Sequence, residues 1–323
     1  MTTRSSFSGE QRRALDILAG SEAVAGASAG CAVTSRREAM RLRLTLLVIR
    51  TCANALVVLP AWSQAAPEIT LTRLDCGGSS ATLAADIGLN FSDTFANSVP
   101  NIGLVASCYI IKHGDDYMVW DTGWGMSAGP AAPKTSLVDL LAQVNVKPEQ
   151  IKYVGISHYH ADHVGQVNSL PKATLLIGKG DWDVLSGPKL PASVRRPPGD
   201  VVNSEPFTNW ISGGGTIEPL LLDKDVFGDG TVIMLNTPGH TPGHHVLLVK
   251  LPSTGNVILG GDLAHFRENY NNNVVTGFNS NRADTLASFD RVKQIAANLK
   301  ATVIIGHDPR DVDKLPAFPA SAK

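Results

Sequence analysis

The sequence predicts an α/β fold with layered αββα packing, and three observations carry that reading. From Ile69 onward, short apolar runs alternate with Gly, Pro and Asn turn signals. A few stretches between them switch to helical periodicity. Many strands with helices between them, and no internal repeat, fit sheets covered by helices.

Strands are expected at 69–74, 103–112, 116–121, 151–157, 173–177, 216–221, 231–236, 245–250, 256–260 and 301–306. Helices are expected at 135–145, 180–186 and 282–299. In the last, Leu286, Phe289, Val292, Ile295, Ala296 and Leu299 recur at spacings of three and four, which marks one buried face. Two long irregular stretches remain. Residues 78–102 carry Leu83, Ile87, Leu89, Phe91 and Phe95, and residues 187–215 carry Arg195, Arg196, Phe207 and Trp210. Loops of that length are usually functional or disordered. They are read as an apolar wall for an acyl chain or aryl group, with Trp124 at its edge. The alternatives are a cover for the sheet or a contact in a homodimer.

The chemistry is concentrated in residues 158–163, His-Tyr-His-Ala-Asp-His, which follow the apolar run Tyr153–Ser157. His158 and His160, two apart in an extended loop, can point at one metal. Asp162 and His163, on the next turn, can reach a second. Imidazole and carboxylate without thiolate suit zinc, manganese, iron or cobalt. Three more strand ends supply the rest: His240 in Thr237-Pro238-Gly239-His240-Thr241-Pro242-Gly243-His244, Asp262 after Val257–Gly261, and His307 in Gly306-His307-Asp308. Asp262 is well placed to bridge two metals. Strand ends that each deliver a ligand suggest one shared rim. His244 and His245 are read as structural, and His113 as a solvated strand end.

These motifs resemble the metallo-β-lactamase superfamily over about residues 67–312, and within it the N-acyl homoserine lactonase branch. The resemblance implies an αββα sandwich of the metallo-β-lactamase type. It assigns His158, His160 and His240 to one metal and Asp162, His163 and His307 to the other, with Asp262 between. The implied cofactors are two divalent ions, with zinc the first choice. Asp121, in Val119-Trp120-Asp121-Thr122-Gly123, matches the superfamily's carboxylate that orients a ligand; a simple turn acid is the alternative. One departure concerns substrate. Lactonases of this branch usually carry Tyr three residues beyond the bridging Asp, where this chain has His265. That substitution is similar to the organophosphate-hydrolysing and arylesterase-like branch.

The expected reaction is attack of a metal-bridging hydroxide on a lactone or ester carbonyl. Asp162, Asp262 and His265 are the catalytic candidates, with Asp162 returning a proton to the leaving alkoxide. The leading function is opening of N-acyl homoserine lactones, which is quorum quenching. The alternative is a periplasmic arylesterase or phosphotriesterase on the same site. A third class is a metal-binding or sensor module without turnover. No Gly-x-Ser-x-Gly nucleophile elbow is expected, which argues against a serine esterase. Asp262 where a Cys ligand would be expected argues against a true β-lactamase.

The net charge of −1 gives no sign of a nucleic-acid partner, and the substrate is expected to be a small molecule. The first 66 residues hold eight Arg and four acids, a charge of +4. Residues 1–39 read as a disordered leader or a mis-called start. Residues 40–65 read as a secretory signal: Met40, Arg41 and Arg43, an apolar stretch to Ala61, and small residues for cleavage after Ala65. Arg50 and Asn54 interrupt that stretch, so no stable membrane anchor is expected. The rival is an ordinary N-terminal helix in a cytoplasmic protein. Export would leave a hydrolase domain at 66–323, periplasmic or secreted. It would retain Cys76 and Cys108, for which two buried thiols on neighbouring strands are favoured over a bridge.

Overall fold

The computed structural model describes residues 66–80, 94, 102–188 and 201–323. The expected leader and signal segment, the apolar residues Leu83 to Phe95, and Arg195 and Arg196 lie outside them. The described residues all fall in the compact unit Ser63–Lys323.

Two sheets form the centre. The first runs in the order β1 (Ile69–Ser79), β2 (Leu104–His113), β3 (Asp116–Trp120), β4 (Ile151–Gly155), β5 (Thr174–Gly178), β6 (Ile217–Leu220). Its first two pairings are antiparallel and the remaining three parallel. The second runs β11 (Thr302–Ile304), β10 (Gly255–Leu259), β9 (His245–Leu251), β8 (Val232–Asn236), β7 (Lys224–Asp225). Only β10 and β11 are parallel there. All ten expected strands are present within a few residues. The two-residue β7 was not expected, being too short to show a period.

Strand alternation builds the layers. Along β2, Cys108 and Ile110 face one cluster, while Tyr109 and Ile111 face another. Along β9, Leu247 and Val249 meet that second cluster, and Val246 and Leu248 point away from it. The shared cluster is the dry filling between the sheets, where Met118, Trp120, Met234 and Leu259 are fully buried or nearly so. Each such side chain contributes roughly 1.5–3 kcal/mol by leaving water.

Helices cover the outer faces. Against the first sheet lie α1 (Leu137–Gln143), with Leu137, Leu140 and Leu141 buried, and, further along the chain, α3 (Lys179–Ser186), with Leu185 buried. Ser136 caps α1 by accepting from the Asp139 amide at 3.1 Å. Between them, α2 (Ala161–Val164) is a single turn. Later come α4 (Thr208–Ile211) and α5 (Arg267–Asn272). The second sheet is covered by α6 (Arg282–Leu299), capped by Asn281 and ended by Lys300 in the left-handed region. Phe289 and Val292 are buried, with Leu286, Ile295, Ala296 and Leu299 packed beside them, the face its spacing predicts.

Three expectations change. Cys76 and Cys108 form a disulfide, because β1 and β2 pair with Leu74 opposite Cys108 and bring the two Cα atoms to 5.8 Å. Phe207 and Trp210 do not line a substrate wall; they are buried in the cluster beneath α1 and α3, where an aromatic ring buries the most area. His113 is not a solvated end. It stacks on Phe227 at 4.1 Å and meets Asp229 at 2.7 Å. No helix among the described residues is long and apolar enough to cross a membrane.

Candidate metal centre

The carboxyl ends of β3, β4, β8, β10 and β11 open onto one rim, and each gives it a functional residue. The loop after β4 carries His158, His160, Asp162 and His163. The turn between β8 and β9 carries His240, the segment after β10 carries Asp262, and that after β11 carries His307. All seven residues singled out from the sequence come together here, in two groups.

The first group is a triangle of ring nitrogens. His158 Nε2 lies 2.9 Å from His160 Nδ1 and 3.1 Å from His240 Nε2, and the last two are 2.9 Å apart. In the second, His163 Nε2 and His307 Nε2 are 3.3 Å apart, and Asp162 Oδ2 lies 3.7 and 3.3 Å from them. Asp262 stands between. Its Oδ2 faces His158 at 3.6 Å and His240 at 3.3 Å, while its Oδ1 faces His163 at 3.1 Å and His307 at 2.8 Å.

The opposite nitrogens of four rings are engaged, which sets their tautomers. His163 Nδ1 donates to Asp121 Oδ2 at 2.9 Å, and His307 Nδ1 to the Val105 carbonyl at 2.7 Å. His240 Nδ1 donates to Asn279 Oδ1 at 3.0 Å. His158 Nδ1 lies 3.1 Å from Ser157 Oγ, whose own proton goes to Asp121 Oδ2 at 2.9 Å. Asp121 also accepts from the Ser157 amide at 2.7 Å. These bonds hold it at φ 54°, a region costly for a residue with a side chain. In each of these four rings the remaining nitrogen is left to face a cation.

The donor set fits divalent metal. Zinc–nitrogen bonds of about 2.0–2.1 Å at tetrahedral angles put ligand nitrogens about 3.3 Å apart, close to the spacings seen here. Asp262 Oδ1 is buried without a well-directed hydrogen bond, and a cation would satisfy it.

The electrostatics separate the two groups. Burial, together with the charge of His163, pushes His158 well below the ordinary histidine value, and burial does the same to His240. Burial also acts against charge on His163 and His307, but Asp262 and Asp162 outweigh it. His163 rises well above the ordinary value and His307 reaches about 9. Burial would raise Asp262, yet His307, His163, His265 and His158 hold it well below the carboxylate range.

His265 is at the centre too. Its Nε2 lies 3.2 Å from Asp262 Oδ2, and its ring stacks on His307 at 5.6 Å and meets Phe278 edge-on at 5.3 Å. Trp124 sits in the loop after β3, half-buried.

Two further residues take part: Ser157, which is not singled out from the sequence, and His244, in the structural role expected of it. Ser157 had a signal, its position directly before His158. His244 had one in the repeated Thr-Pro-Gly-His: its Nε2 accepts the Asp262 amide at 3.0 Å, and its Nδ1 meets Thr237 Oγ1 at 2.9 Å. Burial lowers it to about 3, so it is the neutral ring that this acceptor role needs. The Gly-x-Ser-x-Gly pattern expected to be absent is in fact present. Gly125-Met126-Ser127-Ala128-Gly129 spells Gly-x-Ser-x-Gly, but Ser127 is exposed on an irregular turn, not on a strand-to-helix elbow.

Residues 102–307 match the Metallo-beta-lactamase superfamily. The N-acyl homoserine lactonase AttM of Rhizobium radiobacter is 32% identical over 175 residues, 53% of this chain and 64% of that relative. The matched stretch likewise spans only 64% of two further AttM relatives. Among solved structures, an N-acyl homoserine lactone hydrolase with N-hexanoyl-L-homoserine bound at its catalytic metal centre aligns with a TM-score of 0.63. It is 21% identical and covers 80% of this chain and 100% of its own. AidC, a dizinc quorum-quenching lactonase, aligns at 0.56 with 19% identity, covering 80% of this chain and 91% of its own. At these identities the structural likeness is one of fold.

Proposed function

The chain belongs to the metallo-β-lactamase superfamily, and from that premise we propose that it is a dinuclear metal hydrolase opening the lactone ring of N-acyl homoserine lactones. The observation that carries this reading is Asp262, whose two oxygens are divided between two separate ligand groups. Binding one ion would not call for that division. His158, His160 and His240 would hold one ion and Asp162, His163 and His307 the other. Zinc suits this nitrogen-rich donor set. When bound, the pair would polarise the carbonyl oxygen and acidify a water molecule.

The chain's own groups complete the chemistry. Asp162 is only partly buried, unlike Asp262, and can meet the substrate oxygen that leaves. It is the candidate to return a proton there. His265, held between Phe278 and His307, can donate a hydrogen bond to a carbonyl or phosphoryl oxygen. Its presence where lactonases usually carry Tyr favours the second reading, an arylesterase or phosphotriesterase.

Export is part of the proposal. A disulfide fully buried beside the rim suits an oxidising compartment, in line with a signal segment at 40–65 and a catalytic domain at 66–323. Initial rates of the zinc-loaded chain on short- and long-chain acyl homoserine lactones, phenyl acetate and paraoxon test the choice. A lactone kcat/KM of about 10⁴ M⁻¹s⁻¹ or more, well above the others, is expected. Feeble lactone turnover beside strong phosphotriester cleavage would replace the lactonase reading with the second.

A further inference from the structure

Asp181 is a fully buried carboxylate, in the first turn of α3, that the proposed chemistry does not use. A buried carboxylate is costly unless hydrogen bonds satisfy it. Its oxygens turn away from its own helix. Oδ2 accepts from Thr241 Oγ1 at 2.8 Å and Oδ1 from the Gly243 amide at 2.7 Å. The backbone of Tyr159 also donates to it.

These partners are not scattered. Tyr159 lies between His158 and His160, and Thr241 directly follows His240. All three histidines belong to one ligand group. Asp162 and His163 come later in the same loop, on the turn of α2, and His307 lies on a different segment; none of the three is adjacent in sequence to a partner of Asp181. Contact of α3 with the His240 turn depends on bare backbone. A Cβ on Gly178 would meet the Gly243 carbonyl oxygen at 1.8 Å, and one on Gly180 would meet the Pro242 carbonyl carbon at 2.7 Å. From the other side, a Cβ on Gly243 would meet the Asp181 amide nitrogen at 2.4 Å. Three glycines on two segments thus allow the close approach by which this carboxylate reaches the turn.

We propose that Asp181 is a positioning residue for one metal position alone, tying the loop of His158 and His160 to the turn of His240. This rests on the two-metal reading above. Groups that hold metal ligands in place typically account for 10–100-fold in affinity. The loss here should be confined to one of the two ions.

The test is metal affinity of the full chain, measured by chelator competition with cobalt(II) and by bound zinc per chain, for wild type and Asp181→Asn. Wild type should bind two ions. The variant should bind one with unchanged affinity and the other about 10–100-fold more weakly, with the cobalt absorption of that site altered. Thr241→Val, which removes one of the hydrogen bonds and leaves the carboxylate, should shift the same ion by a smaller factor. It also serves as the test if Asp181→Asn does not fold. Equal weakening of both ions, or none, overturns the positioning role while leaving the two-metal reading intact. A wild type that binds fewer than two ions overturns both.

Discussion

Reducing the Cys76–Cys108 bridge should cost the folded protein several kcal/mol. The bridge closes a loop with a sequence separation of 32 residues. Chain entropy lost from the unfolded state scales as about 2.1 + 1.5R ln n cal/mol/K, which here is about 12 cal/mol/K, or about 3.7 kcal/mol at 25 °C. For a domain at the large end of the usual range, that is a fall in Tm of about 7 °C. The position amplifies the effect on the rim. Cys76 accepts the Trp124 amide at 3.1 Å, so the bridge lies directly under the loop that follows Asp121. The comparison is one chain in two redox states, oxidised and fully reduced by a phosphine. Both thiols stay in place, so no cavity is made. Urea unfolding of each, with thiols counted by mass, gives the difference directly. A loss below about 1 kcal/mol, at unchanged urea dependence, would refute the argument. It would mean that the β1/β2 ladder already restrains that end of the chain.

Two further outcomes follow from the site and its surroundings. Ser157→Ala should weaken metal binding about tenfold or more, since one hydroxyl orients His158 and anchors Asp121, which in turn holds His163; isothermal titration with zinc measures it, and an unchanged affinity would remove Ser157 from the site. His245 is buried, which lowers its pKa below the ordinary value. Its neutral form is therefore favoured on folding, and that contribution is complete above the unfolded value of about 6.5 and lost as pH falls below it. Between about pH 7.5 and pH 5, wild type should lose more stability than His245→Gln in denaturant titrations, and parallel losses would contradict the assignment.

Most of the scaffold was legible because each strand is a local pattern. β9 alternates Val246, Leu247, Leu248 and Val249 between two apolar layers, so it reads as a continuous apolar run. α6 showed its buried face through spacing alone. The short elements were not legible, because α2, α4 and β7 span four residues or fewer and carry no period. The wall drawn through Phe207 and Trp210 failed for a related reason. Hydrophobicity announces that a side chain will be buried, but not which layer will bury it.

The candidate ligand set was legible in the sequence by itself. His158, His160, Asp162 and His163 are close enough along the chain for spacing to fix their geometry, and His240, Asp262 and His307 each end an apolar run. What surrounds them was decided only by tertiary structure. Asp181 meets Gly243 across 62 positions, His244 meets Asp262 across 18, and His307 meets the Val105 carbonyl across 202. A hydrogen bond of that kind leaves no mark on either segment. It exists because two twisted sheets, packed through a shared apolar layer, bring the ends of distant strands to a single rim.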